Sequence, residues 1–279
     1  MTAVTDGAGT FPLPDKFVVN ASKDQVAAEL AKHHLDPTKL TVPFTPVVIN
    51  TGSKLVLIDT GYGEDAAKKS NATTGQVGAN LKAAGIEPAS IDIVIISHFH
   101  GDHVNGLLNS EKKLAYPNAE VMVPAVEWKY WTDDGEMSRA PEGRMQGLFK
   151  SNRAVFDAID RKVTPYEWNK EVIPGLTAIG TPGHTPGHTS YVLASGNGKV
   201  FIQSDVTNVP FLFVSNPGWH AGYDQDGNMA EETRRKTYDM IVAEKLPVQG
   251  FHYPFPGLGH LEKAGDGYRL VPMPWNPVI

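Results

Sequence analysis

The run Ile91-Asp92-Ile93-Val94-Ile95-Ile96 is short, β-branched and too apolar to leave in water, and Ser97-His98-Phe99-His100-Gly101-Asp102-His103 follows it directly. Bounded by Pro88 and Gly101, the run reads as an interior strand. Side chains on a strand alternate, so His98 and His100 leave its end on the same side. Asp102 and His103 come next on a turn, where Gly101 lets the backbone bend. Any fold of this chain must therefore bury the strand and keep four metal-binding groups at its mouth. Imidazole and carboxylate without thiolate suit zinc, and also iron, manganese, cobalt or nickel. Three imidazoles beside a carboxylate exceed what one tetrahedral ion takes, which points to two ions.

The chain has 279 residues, 41% hydrophobic and 20% charged, enough for a sizeable core. No linker divides it, so one domain over 1–279 is expected. The net charge of −6 carries no basic stripe, which argues against a nucleic-acid partner. No apolar run approaches the roughly 20 residues that span a bilayer, so no membrane partner is expected. The absence of cysteine excludes disulfides, thiolate ligands and a Cys nucleophile. Met1 to Gly7 lacks the regions of a signal peptide and reads as a short strand turning at Asp6-Gly7. As it stands the chain reads as cytoplasmic; with an upstream segment removed it would be periplasmic or secreted. A homodimer is compatible with it.

Gly9, Pro12 and Pro14 mark an irregular opening. Ser22 to Ala31 then reads as a helix with Ser22 as N-cap and Gln25 at the capping-box position. His33 and His34 close it as surface residues. Val47 to Gly61 predicts two strands about an Asn-Thr-Gly turn, the second ending at Asp59. That acid reads either as a turn residue or as a group orienting a metal-bound histidine from behind. Tyr62 to Thr74 predicts a mobile loop, Gln76 to Ala84 a helix, Glu120 to Val123 a strand, and Val126 to Trp131 a short helix. Pro141 to Asp160 has helical spacing.

Thr181-Pro182-Gly183-His184-Thr185-Pro186-Gly187-His188 repeats Thr-Pro-Gly-His on a rigid loop, and spacing leaves open which histidine binds metal. A hairpin across Gly196-Asn197-Gly198 ends at Ser204-Asp205, Val209 to Trp219 reads as a binding loop, and Glu231 to Lys245 as an amphipathic helix. Val248 to His252 predicts a strand closing on a histidine, and Pro254 to His260 a rigid loop.

Strand ends therefore deliver His98, His100, Asp102, His103, Asp205 and His252, with a histidine on the Thr-Pro-Gly loop. The carboxyl ends of strands are where α/β folds place their sites. By formal count two divalent ions, two aspartates and a bridging hydroxide leave about one positive charge, able to polarise a C=O or P=O oxygen and lower the pKa of an attacking water. The expected chemistry is hydrolysis.

The His-x-His-x-Asp-His cluster, Leu57-Ile58-Asp59-Thr60-Gly61, Thr181-Pro182-Gly183-His184, Ser204-Asp205 and the late His252, in this order, resemble the metallo-β-lactamase-fold hydrolases. Asn50 to Leu57, Asn80 to Gly85, His184 to Thr189 and Phe255 to His260 resemble the methyl parathion hydrolase branch, which cleaves organophosphate triesters and has lactonase and aryl esterase relatives. The resemblance implies an α/β fold, an αββα sandwich of two mixed sheets flanked by helices. It implies two divalent ions, zinc foremost, with manganese, cobalt or iron as alternatives. It assigns His98, His100 and His184 to one ion, Asp102, His103 and His252 to the other, and Asp205 as the bridge, with Asp102 and Asp205 as the catalytic pair. It makes His188 and His260, with Asp59, candidates to orient the ligands from behind. Ser204 stands where the family usually has glycine.

Trp131 matches an aromatic of the phosphotriesterase pocket, while Leu148 replaces a phenylalanine; with Phe211 and Phe213 these are the pocket candidates. The smaller aromatic clamp favours neutral apolar small-molecule esters, lactones or aryl esters, attacked by a metal-bridging hydroxide. An organophosphate triester hydrolase is the alternative. A glyoxalase II-type thioesterase is less favoured, because it would want a basic patch.

Overall fold

In a computed structural model the chain folds as an αββα sandwich; residues 1–274 are described, and residues 275–279 of the expected domain lie outside them. Each sheet is laid down in chain order. The first runs Thr2–Ala3, Val47–Asn50, Leu55–Ile58, Ile93–Ile95, Glu120–Pro124 and Thr164–Tyr166 across six strands. The second runs Glu171–Ile173, Leu176–Gly180, Thr189–Ser195, Gly198–Ile202, Val248–Gln249, Leu258–Ala264 and Gly267–Pro272 across seven.

Strand alternation builds the layers. Val56, Ile58 and Ile95 face the second sheet and meet Leu176, Ala178, Tyr191 and Ile202. Their neighbours Leu57, Val94 and Ile96 face outward and pack with Leu81, Phe149 and Phe156 from the helices Val77–Ala83 and Arg144–Asp157. A strand buried on both faces has no polar side, which is why Ile91 to Ile96 reads as a continuous apolar run. Burying each such side chain contributes about 1.5–3 kcal/mol. On the far face of the second sheet, Phe201, Val248 and Leu261 pack under Tyr238 and Ile241 of the helix Gly227–Glu244.

Parallel pairing decides where the strands end. Leu55–Ile58, Ile93–Ile95 and Glu120–Pro124 are parallel neighbours, as are Gly198–Ile202 and Val248–Gln249. Asp59, His98, Asp205 and His252 therefore emerge from the carboxyl ends of neighbouring strands.

The expected helix at Ser22 is present as Lys23–Lys32, with the reciprocal Ser22–Gln25 capping box. The opening is more regular than expected: Gly7–Pro12 pairs with Lys39–Phe44, whose Leu40, Val42 and Phe44 face a core of their own with Phe17, Leu30 and Phe213. Glu64–Lys69 is a helix inside the stretch expected to be a loop. It buries no side chain, but Glu64 and Asp65 at its start and Lys68 and Lys69 at its end complement the helix dipole. Arg144–Asp157 forms one helix within Pro141–Asp160. Pro210–Phe213 is a short helix inside the expected binding loop, opened by its proline.

Candidate metal centre

The seven expected ligand side chains come together as two groups at the sheet edge. In the first, His98, His100 and His184 place their ring nitrogens within 4.8 Å of one another. Nδ1 of His100 lies 3.2 Å from Nε2 of His98 and 2.8 Å from Nε2 of His184. The second joins Asp102, His103, Asp205 and His252. Asp102 Oδ2 lies 3.5 Å from both His103 Nε2 and His252 Nε2. Asp205 Oδ2 lies 3.0 Å from His252 Nε2 and 3.3 Å from His184 Nε2, so this one carboxylate stands between the groups.

Three of the five histidines are held from behind by an acceptor. Asp59 Oδ2 faces His103 Nδ1 at 2.8 Å, Asp224 Oδ1 faces His184 Nδ1 at 2.8 Å, and the Pro43 carbonyl faces His252 Nδ1 at 2.9 Å. An acceptor at Nδ1 keeps the proton there and turns the Nε2 lone pair inward. Asp59 also accepts from Ser97 N and Ser97 Oγ, both at 2.8 Å, so it serves both as a turn residue and behind a histidine.

The backbone turns sharply after two of the strands. Asp59 and Ser204 take φ of +61° and +51°, the left-handed region that costs a side chain about 1–2 kcal/mol. Glycine would avoid this cost at position 204. Ser204 instead places its hydroxyl 2.7 Å from Ser97 Oγ, a bond glycine cannot make.

His188 does not join the first group. Its Nε2 accepts from Asp205 N at 3.0 Å, and its Nδ1 faces Thr181 Oγ1 at 2.8 Å, placing it behind Asp205. His260 lies in the strand Leu258–Ala264 opposite Val271 and makes no hydrogen bond to either group among the described residues. The strand begins at Leu258, inside the end of the stretch expected to be a loop, and carries His260 with it.

Electrostatics set the groups apart. Burial and the neighbouring imidazole of His103 press His98 well below its ordinary pKa, and burial with His184 does the same to His100. Burial opposes charge on His103, but Asp59, Asp205 and Asp102 carry it well above. Burial likewise opposes charge on His184, yet hydrogen bonds to Asp205 and Asp224 raise it to about 9. Burial pushes against ionising Asp205, and His252 and His103 hold it well below the usual carboxylate range.

The donor set fits divalent cations. His103 Nε2, His100 Nε2 and Asp205 Oδ1 are buried without a hydrogen-bond partner, and an unsatisfied buried polar atom costs about 1–3 kcal/mol. His103 Nε2 and Asp205 Oδ1 are 3.4 Å apart in the second group, where a cation would satisfy both.

Over the site lies a cavity of about 240 Å³. Phe11, Phe17, Val42, Phe44 and Leu148 form its apolar wall, and Tyr62, Arg144, Asn208 and Tyr223 add polar groups above His100, Asp102, Asp205 and His252. Of the expected pocket residues, Leu148 lines it and three do not. Trp131 is 1% exposed, packs on Phe149 and donates its indole N–H to Glu127 at 2.8 Å. Phe213 is buried against Phe17 beneath the Arg234 guanidinium, and Phe211 packs on His33. The helical turn at Pro210 presents both rings to the core beside Lys23–Lys32 rather than to the site.

Sequence reasoning missed Asp224, Tyr223, Arg144 and the N-terminal aromatics. Asp224 sits in the polar run before a helix capped by Asp226, and nothing local marks it as the partner of a histidine 40 residues earlier.

A family model described as the Metallo-beta-lactamase superfamily matches residues 45–243. An N-acyl homoserine lactonase of Bacillus cereus is 23% identical over 249 residues, covering 84% of this chain and 87% of that protein. AidC, a dizinc quorum-quenching lactonase solved with a product bound, superimposes with a TM-score of 0.90 at 24% identity, over 98% of this chain and 94% of its own. A hydrolase of the beta lactamase superfamily, AbOPH, does so with a TM-score of 0.88 at 27% identity over the same shares.

Proposed function

The chain belongs to the metallo-beta-lactamase superfamily, and from that premise we propose that it is a two-metal hydrolase opening neutral apolar lactones, N-acyl homoserine lactones foremost. The observation that carries this reading is the meeting of seven metal-type donors in two adjoining groups, four of which, His100, Asp102, Asp205 and His252, line the floor of one cavity with an apolar wall. Arg144 is the only Lys or Arg among the lining residues, so the cavity suits an uncharged ester with an acyl chain rather than a polyanion. The relatives named as N-acyl homoserine lactonases and the dizinc lactonase of the same fold support the substrate class.

Two divalent ions, zinc by preference, would supply the positive charge that polarises the ester carbonyl and acidifies the attacking water. His98, His100 and His184 would hold one, Asp102, His103 and His252 the other, with Asp205 shared between them. Asp59, Asp224 and the Pro43 carbonyl keep the far ring nitrogens of His103, His184 and His252 protonated. Asp102 turns Oδ2 to the two histidines, which leaves Oδ1 to take a proton and return it to the departing alkoxide. The Tyr223 hydroxyl is buried without a partner among the described residues, and can donate to the substrate's carbonyl oxygen. Phe44 and Leu148 exclude water from the acyl chain.

The test is kcat/KM on an N-acyl homoserine lactone, an aryl ester, a phosphotriester and a thioester, each with zinc, manganese and cobalt. The lactone should exceed the others by about 100-fold, some 3 kcal/mol of transition-state preference. A phosphotriester or aryl ester turned over faster than the lactone would reject the reading.

A further inference from the structure

Glu127 lies in the first turn of the helix Ala125–Thr132, is 0% exposed and belongs to neither ligand group. Its carboxylate accepts four hydrogen bonds. Oε1 takes Phe99 N at 3.0 Å and Trp131 Nε1 at 2.8 Å. Oε2 takes Thr185 Oγ1 at 3.0 Å and Gly187 N at 2.7 Å. Phe99 stands between His98 and His100, and Thr185 directly follows His184. One side chain thus ties together the two loops that carry the three histidines.

We infer that Glu127 is a positioning residue for the first metal triad, fixing the loop of His98 and His100 against the loop of His184. The inference rests on the reading that this triad holds a metal ion.

The chemistry at the position favours this over a packing role. Burying a carboxylate is expensive, and packing alone would be met by Met or Leu. Among the described residues Glu127 has no Lys or Arg partner, and its carboxylate is met by neutral donors, three from the two loops and one from Trp131 of its own helix. Burial raises its carboxyl above the usual carboxylate range, and the four donors oppose that rise. All four partners can donate and an ionised carboxylate only accepts, so the charged form satisfies every one. The approach is close as well: a Cβ on Gly187 would collide with the backbone of Glu127. The two loops also meet where Thr189 N donates to Ser97 O at 3.1 Å, but that bond lies outside the His184–Gly187 turn. Asp224 Oδ1 and the N–H groups of Gln225 and Asp226 hold the turn on its far side; Glu127 is what ties it to the loop of His98 and His100.

Glu127→Gln separates the two ends of the clamp. An amide NH2 in place of Oε1 would face two N–H groups. In place of Oε2 it faces only Gly187 N–H, since the Thr185 hydroxyl can rotate and accept. The amide therefore settles at Oε2, keeps a contact with the Thr185 hydroxyl and gives up Gly187 N–H, which loosens the His184 turn.

The experiment is stepwise competition for Zn2+ against a chromophoric chelator, with thermal unfolding of the metal-free proteins alongside. Two binding steps in the wild type establish the metal reading, and its failure would show there, before any variant is compared. His184→Ala and His252→Ala identify which step belongs to which group. Glu127→Gln should weaken the His184 step by about 10–100-fold and leave the other within about twofold. A folded Glu127→Gln protein with both steps at wild-type affinity overturns the inference, as does an equal weakening of both with a lowered Tm. Should Glu127→Gln fail to fold, Thr185→Val removes one donor at nearly constant volume. It should weaken the same step several-fold, and wild-type affinities in that variant overturn the inference equally.

Discussion

Oδ2 of Asp59 lies 2.8 Å from Nδ1 of His103. The carboxylate reaches the ring because the strand Leu55–Ile58 ends beside Ile93–Ile95, and because Asp59 takes a left-handed φ of +61°. Both groups are buried, so the pair is shielded from water and salt. Asp59 fixes which nitrogen of His103 is free to meet the second group.

Asp59→Ala removes that orientation and leaves Ser97 N unpaired, while Ser97 Oγ keeps Ser204 Oγ at 2.7 Å. Zinc affinity at the second group should fall about 10–100-fold, with the first group less affected. Chelator competition followed by metal counting checks this. Wild-type affinity at both groups would mean Asp59 serves only the turn.

Asp205 is the carboxylate that stands between the two groups, 3.0 Å from His252 and 3.3 Å from His184. Asp205→Asn keeps the backbone N–H that His188 accepts, so the fold should persist while the shared charge is lost. Lactone kcat/KM should drop on the order of 1000-fold, about 4 kcal/mol, and bound zinc should fall below two per chain. Circular dichroism confirms folding, and a variant with full zinc and near wild-type turnover would remove Asp205 from the mechanism.

Leu148 stands in the apolar wall of the cavity and is half-buried. Leu148→Ala deletes contact with an acyl chain but touches no ligand. For a long-chain lactone KM should rise about 10-fold, within the roughly 1–3 kcal/mol that one apolar contact sets, with kcat nearly unchanged. A matched loss of kcat would place Leu148 closer to the reacting atoms.

What the sequence discloses is whatever a strand end carries. His98, His100, Asp102, His103, Asp205 and His252 each follow an apolar run that the fold must bury, so their convergence could be read before any coordinates. His184 and His188 follow identical Thr-Pro-Gly triplets, and only the packing shows that His188 Nε2 is taken by Asp205 N. Trp131, Phe211 and Phe213 were misplaced because aromaticity does not say which side of a helix faces the cavity. Glu127 and Asp224 were missed for another reason: the partners that tie them to the histidine loops lie 28 to 60 residues away, and each looks locally like an ordinary surface acid. Glu64–Lys69 was hidden by its polar composition, although its charge order already suited a helix.

Asp6 links the N-terminal segment to the cavity rim and gives a pH-dependent test. Its Oδ2 accepts from Tyr62 N at 2.9 Å and Gly75 N at 3.0 Å, and its Oδ1 from Val77 N at 3.1 Å. Tyr62 in turn lines the cavity and packs edge-on against Phe44 at 4.9 Å. Burial pushes the Asp6 carboxyl up from 3.8 to about 6, despite three backbone N–H groups that pull the other way. A raised folded-state pKa means that between pH 3.8 and about 6 the folded chain binds more protons than the unfolded one. Stability from this group is then fully present at the acid end and is lost as pH rises toward 6, in total roughly 3 kcal/mol. Asp6→Asn cannot titrate and carries only a constant offset from its misplaced NH2. The stability of the metal-free wild type minus that of Asp6→Asn should therefore fall as pH rises from about 4 to about 6 and level off above it. Urea unfolding of both proteins at pH 4, 5, 6 and 7 measures the difference, in which the histidines common to both cancel. A difference that stays flat across that window would show that the three N–H donors, and not burial, set the charge of Asp6.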